Sequence, residues 1–80
     1  MDKNLQDYYE EAFHMFSLQG WKDLVEDMKA LQSEVTKIEN IKDEKDLWFR
    51  RGQLDILDLI VNRKQMCEKV YEELQNETTI

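Results

Sequence analysis

A regular seam of apolar residues in the first half of this sequence restricts its fold more than any other feature. The seam has spacings of 3, 4, 3, 4 and 3 residues and consists of Trp21, Leu24, Met28, Leu31, Val35 and Ile38. Such spacing places apolar side chains along one side of an α-helix, where a partner helix can cover them. The chain also has no proline and only two glycines. Together these features predict helix over nearly the whole chain.

The predicted fold is all-α, an antiparallel helical hairpin with a short N-terminal helix in a single domain. We expect the two long helices at about residues 18–39 and 44–75, because a short connection makes long helices antiparallel neighbours. Residues 1–16 should form a helix that docks on the hairpin, since so short a helix is not stable alone. Residues 76–80 are expected to be a frayed tail.

Capping residues set the predicted helix boundaries. Ser17 is a good N-cap for the first long helix, with Phe16 and Trp21 at the positions of a hydrophobic staple. Asn40 can end that helix, because asparagine tolerates the left-handed conformation. Asp43 can cap the next helix, whose first turn carries acidic residues that suit the helix dipole.

The last predicted helix is apolar over too wide an arc for one neighbour. One row contains Phe49, Ile56, Ile60, Cys67, Val70 and Leu74, and an adjacent row contains Leu47, Leu54, Leu57, Val61 and Tyr71. The preceding helix can cover one row, so the N-terminal helix or a second subunit must cover the other. A chain of 80 residues with a single cysteine has no internal disulfide to stabilise it. Self-association is therefore expected.

The charge balance disfavours polyanionic partners. The chain has 18 acidic and 11 basic side chains, for a net charge of −7. This charge repels nucleic acid and anionic lipid. No apolar run approaches the ~20 residues that cross a bilayer, and no signal peptide is visible, so we expect a protein without a membrane partner.

No pattern in the sequence indicates catalysis. His14 is the only histidine, and Cys67 lies on an apolar face without a neighbouring base. Several acids have helical partners, such as Glu26 with Lys29 and Glu68 with Lys64, which favours a solvated face over an acid–base pair. There is no glycine-rich phosphate loop, triad spacing or cluster of metal ligands. We therefore expect no enzyme activity, no cofactor and no metal.

Gly52 lies in the middle of a predicted helix, where glycine costs about 1 kcal/mol relative to alanine. Close approach of a bulky side chain, from a second subunit or from the N-terminal helix, would offset this cost. The predicted partner interface therefore includes Tyr8, Phe13, Trp21, Trp48, Phe49, Arg50, Arg51, Gly52, Leu59 and Arg63.

Two strings in the chain carry a resemblance to a known group of proteins. "GWKDLVEDM" at Gly20–Met28 and "IENIKDEKDLWFRRGQLDIL" at Ile38–Leu57 resemble small acidic proteins of tailed bacteriophages, notably short-tailed phages of aquatic bacteria. The match covers about half of the chain. The resemblance implies a phage origin and, because some of these proteins lie among virion-structure genes, a virion-associated role. It carries over no catalytic residue.

The sequence therefore favours a non-enzymatic phage protein that binds other proteins. The leading hypothesis is a homo-oligomeric virion component or assembly factor, bound to a larger phage protein in the host cytoplasm or in the virion. The alternative is an early inhibitor that binds a host enzyme through an acidic face imitating DNA, although lysines interrupt that face throughout. A third reading is a nucleic-acid-binding module that uses Arg50, Arg51, Arg63 and Lys64.

Overall fold

Helices account for most of the chain, as its apolar spacing predicts. The computed structural model describes residues 1–77, and no strand occurs within that range. The elements are α1 (Lys3–Ser17), α2 (Gln19–Val35), a single 3₁₀ turn (Ile38–Asn40), α3 (Glu44–Val61) and α4 (Arg63–Glu77). The prediction of an all-α fold is confirmed. Within the same residues, no helix combines the length and apolar character needed to cross a membrane.

The contacts of the chain group into two compact units. The first unit contains Met1–Lys22 and the segment that begins at Asn62, and the second unit is Asp23–Val61. The first unit thus contains α1 and α4, and the second contains most of α2 together with the 3₁₀ turn and α3.

Aromatic side chains form the core of the first unit. Among its described residues, Phe16 and Cys67 are the two that are fully buried, at 2% and 3% exposure. The ring of Phe16 lies 5.0 Å from that of Trp21, and the ring of Phe13 lies 5.2 Å from that of Tyr71 in an edge-on arrangement. Edge-on and tilted ring pairs at these distances add to the stability that burial alone supplies. α1 and α4 are therefore joined by aromatic packing.

Side-chain hydrogen bonds join α2 to α3 in the second unit. The amide Nε2 of Gln32 donates to Oδ1 of Asp58 at 2.6 Å, and Nη1 of Arg50 donates to the carbonyl of Val35 at 3.4 Å. Gln32, the earlier of the two α2 residues, thus contacts Asp58, the later of the two α3 residues, as expected where the chain reverses direction. The arrangement of the complete predicted hairpin stays a prediction.

Side-chain hydrogen bonds cap the start of α1 and close its last turn, and the second of these contradicts a predicted cap. Asp2 is the N-cap of α1, and its carboxylate accepts the N–H of Asn4 at 2.7 Å. Ser17 does not cap α2 as predicted, because its hydroxyl donates to the carbonyl of His14 at 2.6 Å and closes the last turn of α1. A single extended residue, Leu18, separates the two helices and leaves no room for a separate cap.

The connection between α2 and α3 begins earlier than predicted. α2 ends at Val35 and not near residue 39, and the hydroxyl of Thr36, the next residue, donates to the carbonyl of Gln32 at 2.9 Å. Asn40 ends the 3₁₀ turn and does not adopt the left-handed conformation. The predicted cap of α3 is confirmed, since Oδ1 of Asp43 accepts the N–H of Asp46 at 2.8 Å.

The last predicted helix is divided in two. Asn62, a residue with low helix propensity, separates α3 from α4, although its carbonyl still accepts the N–H of Met66 at 3.0 Å. The tail predicted at 76–80 is wrong for its first two residues, because α4 continues to Glu77. The last three residues of that predicted tail lie outside the described residues.

The seam predicted along α2 is wrong for half of its members. Leu24, Leu31 and Ile38 are exposed. The half-buried positions are Trp21, Val25, Met28, Gln32 and Val35. These positions keep the helical spacing but lie on a neighbouring face, because the hydrogen bond of Gln32 holds that face against α3.

Candidate protein interaction surface

α3 carries apolar residues on two opposite sides. Its inner side, which faces the rest of the second unit, includes the half-buried Leu54, Leu57 and Val61. Its other side exposes large apolar side chains to solvent. The side chains of Trp48, Phe49, Ile56 and Leu59 are between 53% and 65% exposed.

The exposed residues form one continuous stripe because of their spacing. Each residue turns an α-helix by about 100°, so positions separated by 4, 4 and 3 residues lie on one side. We define the outer stripe as Trp48, Phe49, Gly52, Ile56 and Leu59. Gly52 lies at its centre, and a Cβ added there would meet no atom of the described residues within 4 Å. The stripe therefore has a shallow, unobstructed middle between bulky side chains.

Arg50 contacts the loop that connects α2 and α3 and is not part of the outer stripe. Its Nε donates to Oδ2 of Asp46 at 2.9 Å, and its Nη2 donates to the carbonyl of Asn40 at 3.0 Å. A third donor reaches the carbonyl of Val35 at the end of α2. A cation at this position satisfies carbonyls that the helix end leaves unpaired. Arg50 thus stabilises the connection between α2 and α3.

The carboxylate of Asp46 completes the same network. The hydrogen bond from Arg50 lowers the pKa of Asp46, and the backbone N–H of Lys42, which donates at 3.1 Å, lowers it further. Both interactions favour the ionised carboxylate. These hydrogen bonds of Asp46 therefore stabilise the observed loop conformation, and they pair the charge of Arg50 within the protein.

Arg51 differs from its neighbour because it is exposed and outside that network. Neither Arg51 nor Asp55 forms an ion pair with any residue of the described range 1–77. On the helix both residues lie along the same edge of the outer stripe. The stripe is thus bordered by two opposite charges without partners.

The remaining predicted interface residues lie in the first unit. Nη2 of Arg63 donates to the hydroxyl of Tyr8 at 3.1 Å, and this hydrogen bond, with the nearby Cys67 thiol, raises the pKa of Arg63. Phe13 and Trp21 contribute to the aromatic core of that unit. The six other predicted residues, from Trp48 to Leu59, belong to the second unit.

Sequence reasoning missed two residues of this surface. Ile56 was placed in the row of Phe49, which the preceding helix, the N-terminal helix or a second subunit could cover, and the structure places it on the outer stripe. Its position four residues after Gly52 was the available signal. Asp55 lies four residues after Arg51, and that spacing was the corresponding signal.

The structure also describes the residues that were considered for catalysis or metal binding. Cys67 is a buried free thiol. Within residues 1–77, no group of three or more His, Cys, Asp or Glu side chains could hold a metal ion. The predicted ion pairs are confirmed, with 3.5 Å between Lys29 and Glu26 and 4.0 Å between Lys64 and Glu68.

Comparison with known proteins finds no relative of this chain. No protein-family model, no curated protein and no solved structure matches the chain.

Proposed function

We propose that this protein is a non-enzymatic protein–protein interaction module that works as a homo-oligomer. The outer stripe of α3 is the observation that carries the proposal. Its four large side chains are more than half exposed, whereas Phe16 and Cys67 are the only fully buried residues that the structure describes. A surface of this kind is stabilised when another protein covers it.

The size of the stripe supports a protein partner. At ordinary side-chain areas, its four large residues expose about 450 Å² of mainly apolar surface per copy. The largest apolar patch on a typical monomer is about 300–600 Å² and is often functional. The stripe reaches that size on a single helix of 18 residues. An elongated apolar surface along one helix suits a partner helix.

We further propose that the module acts in phage assembly, as a virion component or as an assembly factor bound to a larger phage protein. The resemblance of Gly20–Met28 and Ile38–Leu57 to small acidic phage proteins supports this role. The second string contains four of the five residues of the outer stripe. Such a protein would act in the host cytoplasm, in the virion or in both.

The geometry of the arginine pair does not favour a nucleic-acid-binding role. The donors of Arg50 are directed at Asp46, Val35 and Asn40, so this side chain is not free to bind phosphate. Arg51 then remains as a single cation of the pair on a chain of net charge −7. Protein binding through the outer stripe is the better-supported function.

Light scattering coupled to size exclusion tests the self-association. We expect a mass that is a multiple of the 9.7 kDa chain. Mass spectrometry of purified particles from a phage that encodes the chain tests the assembly role, and we expect a fixed copy number per particle. A strictly monomeric chain that is also absent from particles would overturn the proposal.

A further inference from the structure

We propose that the outer stripe binds the outer stripe of a second copy, as an antiparallel pair of α3 helices related by a two-fold axis at Gly52. This inference rests on the proposed self-association and specifies the surface and the pairing that produce it.

The symmetry of α3 about Gly52 is the first argument. α3 has 18 residues, and Gly52 is the ninth, so it lies at the middle of the helix. An antiparallel pair centred there sets each residue before Gly52 opposite the residue equally far after it. Trp48 precedes Gly52 by four residues, and Ile56 follows it by four. A two-fold interface requires a surface that is complementary to itself, and large apolar residues on both sides of a small centre meet that requirement.

The glycine itself is the second argument. Gly52 has open space above it and no left-handed backbone conformation, so nothing within the described residues requires a glycine there. Two helices that cross at a small residue can approach at the short end of the usual interaxial range of about 8–10 Å. Side chains from the partner helix then fill the open middle of the stripe. The pairing explains why a residue that disfavours helix stands at this position.

The bordering charges are the third argument. In a two-fold antiparallel pair, the same edge of the stripe from each copy lies on one side of the contact. Arg51 then lies opposite the partner's Asp55, displaced by about 3 Å along the helix axis. The two-fold axis repeats this ion pair on the other half of the contact. A parallel pairing would instead place the charged edges of the two copies on opposite sides of the contact, so that Arg51 would not meet the partner's Asp55.

The buried area is the fourth argument. About 450 Å² of exposed side chain in the stripe of each copy amounts to about 900 Å² for the pair. The flanking residues, including Arg51 and Asp55, add to this area. The total reaches the ~1,000 Å² expected of a specific interface. A second copy of this one helix is thus large enough to cover the stripe.

Disulfide formation at the crossing point tests the pairing directly. Gly52→Cys places a thiol at the two-fold axis, where the two backbones are closest. Gly20→Cys is the matched control, because Gly20 also lies in a helix with no atom within 4 Å of an added Cβ. The native Cys67 stays in both variants, since it is buried. Under mild oxidation we expect most of the Gly52→Cys chain to become a covalent dimer linked at position 52, and little of the control to do so.

Charge reversal provides the second measurement. Asp55→Arg should weaken self-association by about tenfold or more in sedimentation equilibrium, because two like-charge contacts replace two ion pairs. Adding Arg51→Asp to that variant restores the opposite charges and should recover most of the affinity. Circular dichroism checks that each variant keeps its helix content.

The outcomes separate this pairing from the general proposal. Cross-linking at position 52 and rescue by the double reversal would support the pairing. A wild-type chain that self-associates without cross-linking at position 52, and without a response to Asp55→Arg, would overturn the pairing while self-association stands. A wild-type chain that stays monomeric and binds only a larger protein through the stripe would show that a second copy is the wrong occupant.

Discussion

Replacing Arg50 with alanine removes the side chain that fastens the connection between α2 and α3. Arg50 donates to the carbonyls of Asn40 at 3.0 Å and Val35 at 3.4 Å, as well as to Asp46. Its side chain is only 22% exposed. The substitution therefore removes a part-buried hydrogen bond to the carbonyl of Val35 and an exposed one to the carbonyl of Asn40.

The expected loss of stability follows from those bonds. A hydrogen bond within a protein contributes about 1 kcal/mol net, so the two carbonyl contacts together contribute about 2 kcal/mol. For a domain of this size, each kcal/mol lowers the melting temperature by about 4–8 °C. We therefore expect Arg50→Ala to lower the melting temperature by about 8–16 °C.

Thermal unfolding followed by circular dichroism measures this effect. All variants are compared at one protein concentration, because self-association makes the melting temperature depend on concentration. Arg51→Ala is the matched control, since Arg51 is the adjacent residue in the same helix, is exposed and has no ion pair within residues 1–77. It should change the stability of the dilute chain by no more than about 0.5 kcal/mol. Equal melting temperatures for the two variants would refute the structural role given to Arg50.

Four further substitutions test other parts of the structure. The interactions of Asp46 lower its pKa below the usual 3.8, so its contribution to stability is present above that pH and is lost as the pH falls through the lowered pKa. The difference in urea midpoint between wild type and Asp46→Asn should therefore shrink on acidification below 3.8. A difference that stays constant with pH would contradict this reasoning. Phe16→Ala should destabilise the chain by about 3–5 kcal/mol in urea unfolding, because Phe16 is 2% exposed. Phe49→Ala should leave the dilute chain within about 0.5 kcal/mol of wild type yet weaken its association, and a large loss in the dilute chain would show that Phe49 is part of the core. Gly52→Ala should stabilise the dilute chain by about 1 kcal/mol, and unchanged stability together with unchanged association would contradict the role assigned to Gly52.

Local sequence signals predicted the features that depend on neighbouring residues. The cap at Asp43 and the ion pair between Lys29 and Glu26 each involve residues three apart, and the structure confirms both. The all-α fold likewise follows from local propensity and apolar spacing. Interactions of this kind are fixed once the helix forms, so the sequence is sufficient to identify them.

Features that depend on contacts between distant residues were not predicted in this way. Two neighbouring faces of α2 share Trp21, Met28 and Val35 and have the same 3–4 spacing, so periodicity alone does not distinguish them. The bond between Gln32 and Asp58, which are 26 residues apart, selects the face that the structure shows. The three partners of Arg50 are also brought together only when the loop folds.

Only part of the interaction surface was predicted, because its position also depends on contacts between distant residues. Trp48, Phe49, Gly52 and Leu59 were named because their residue types stand out within a helix. Ile56 was placed in the same row as Phe49 but was not named in the interface, because α3 is apolar on two sides and the sequence does not show which side its neighbour covers. The exposure of Ile56 in the structure makes that distinction.

Sedimentation equilibrium of the wild-type chain tests the central claim most directly, with Trp48→Ser measured beside it. The account predicts that the wild-type mass rises from 9.7 kDa towards twice that value with increasing concentration. The variant should remain near the monomer mass over the same range while keeping its helix content. A wild-type chain that stays at the monomer mass at every soluble concentration, or a variant that associates as strongly as wild type, would contradict the account.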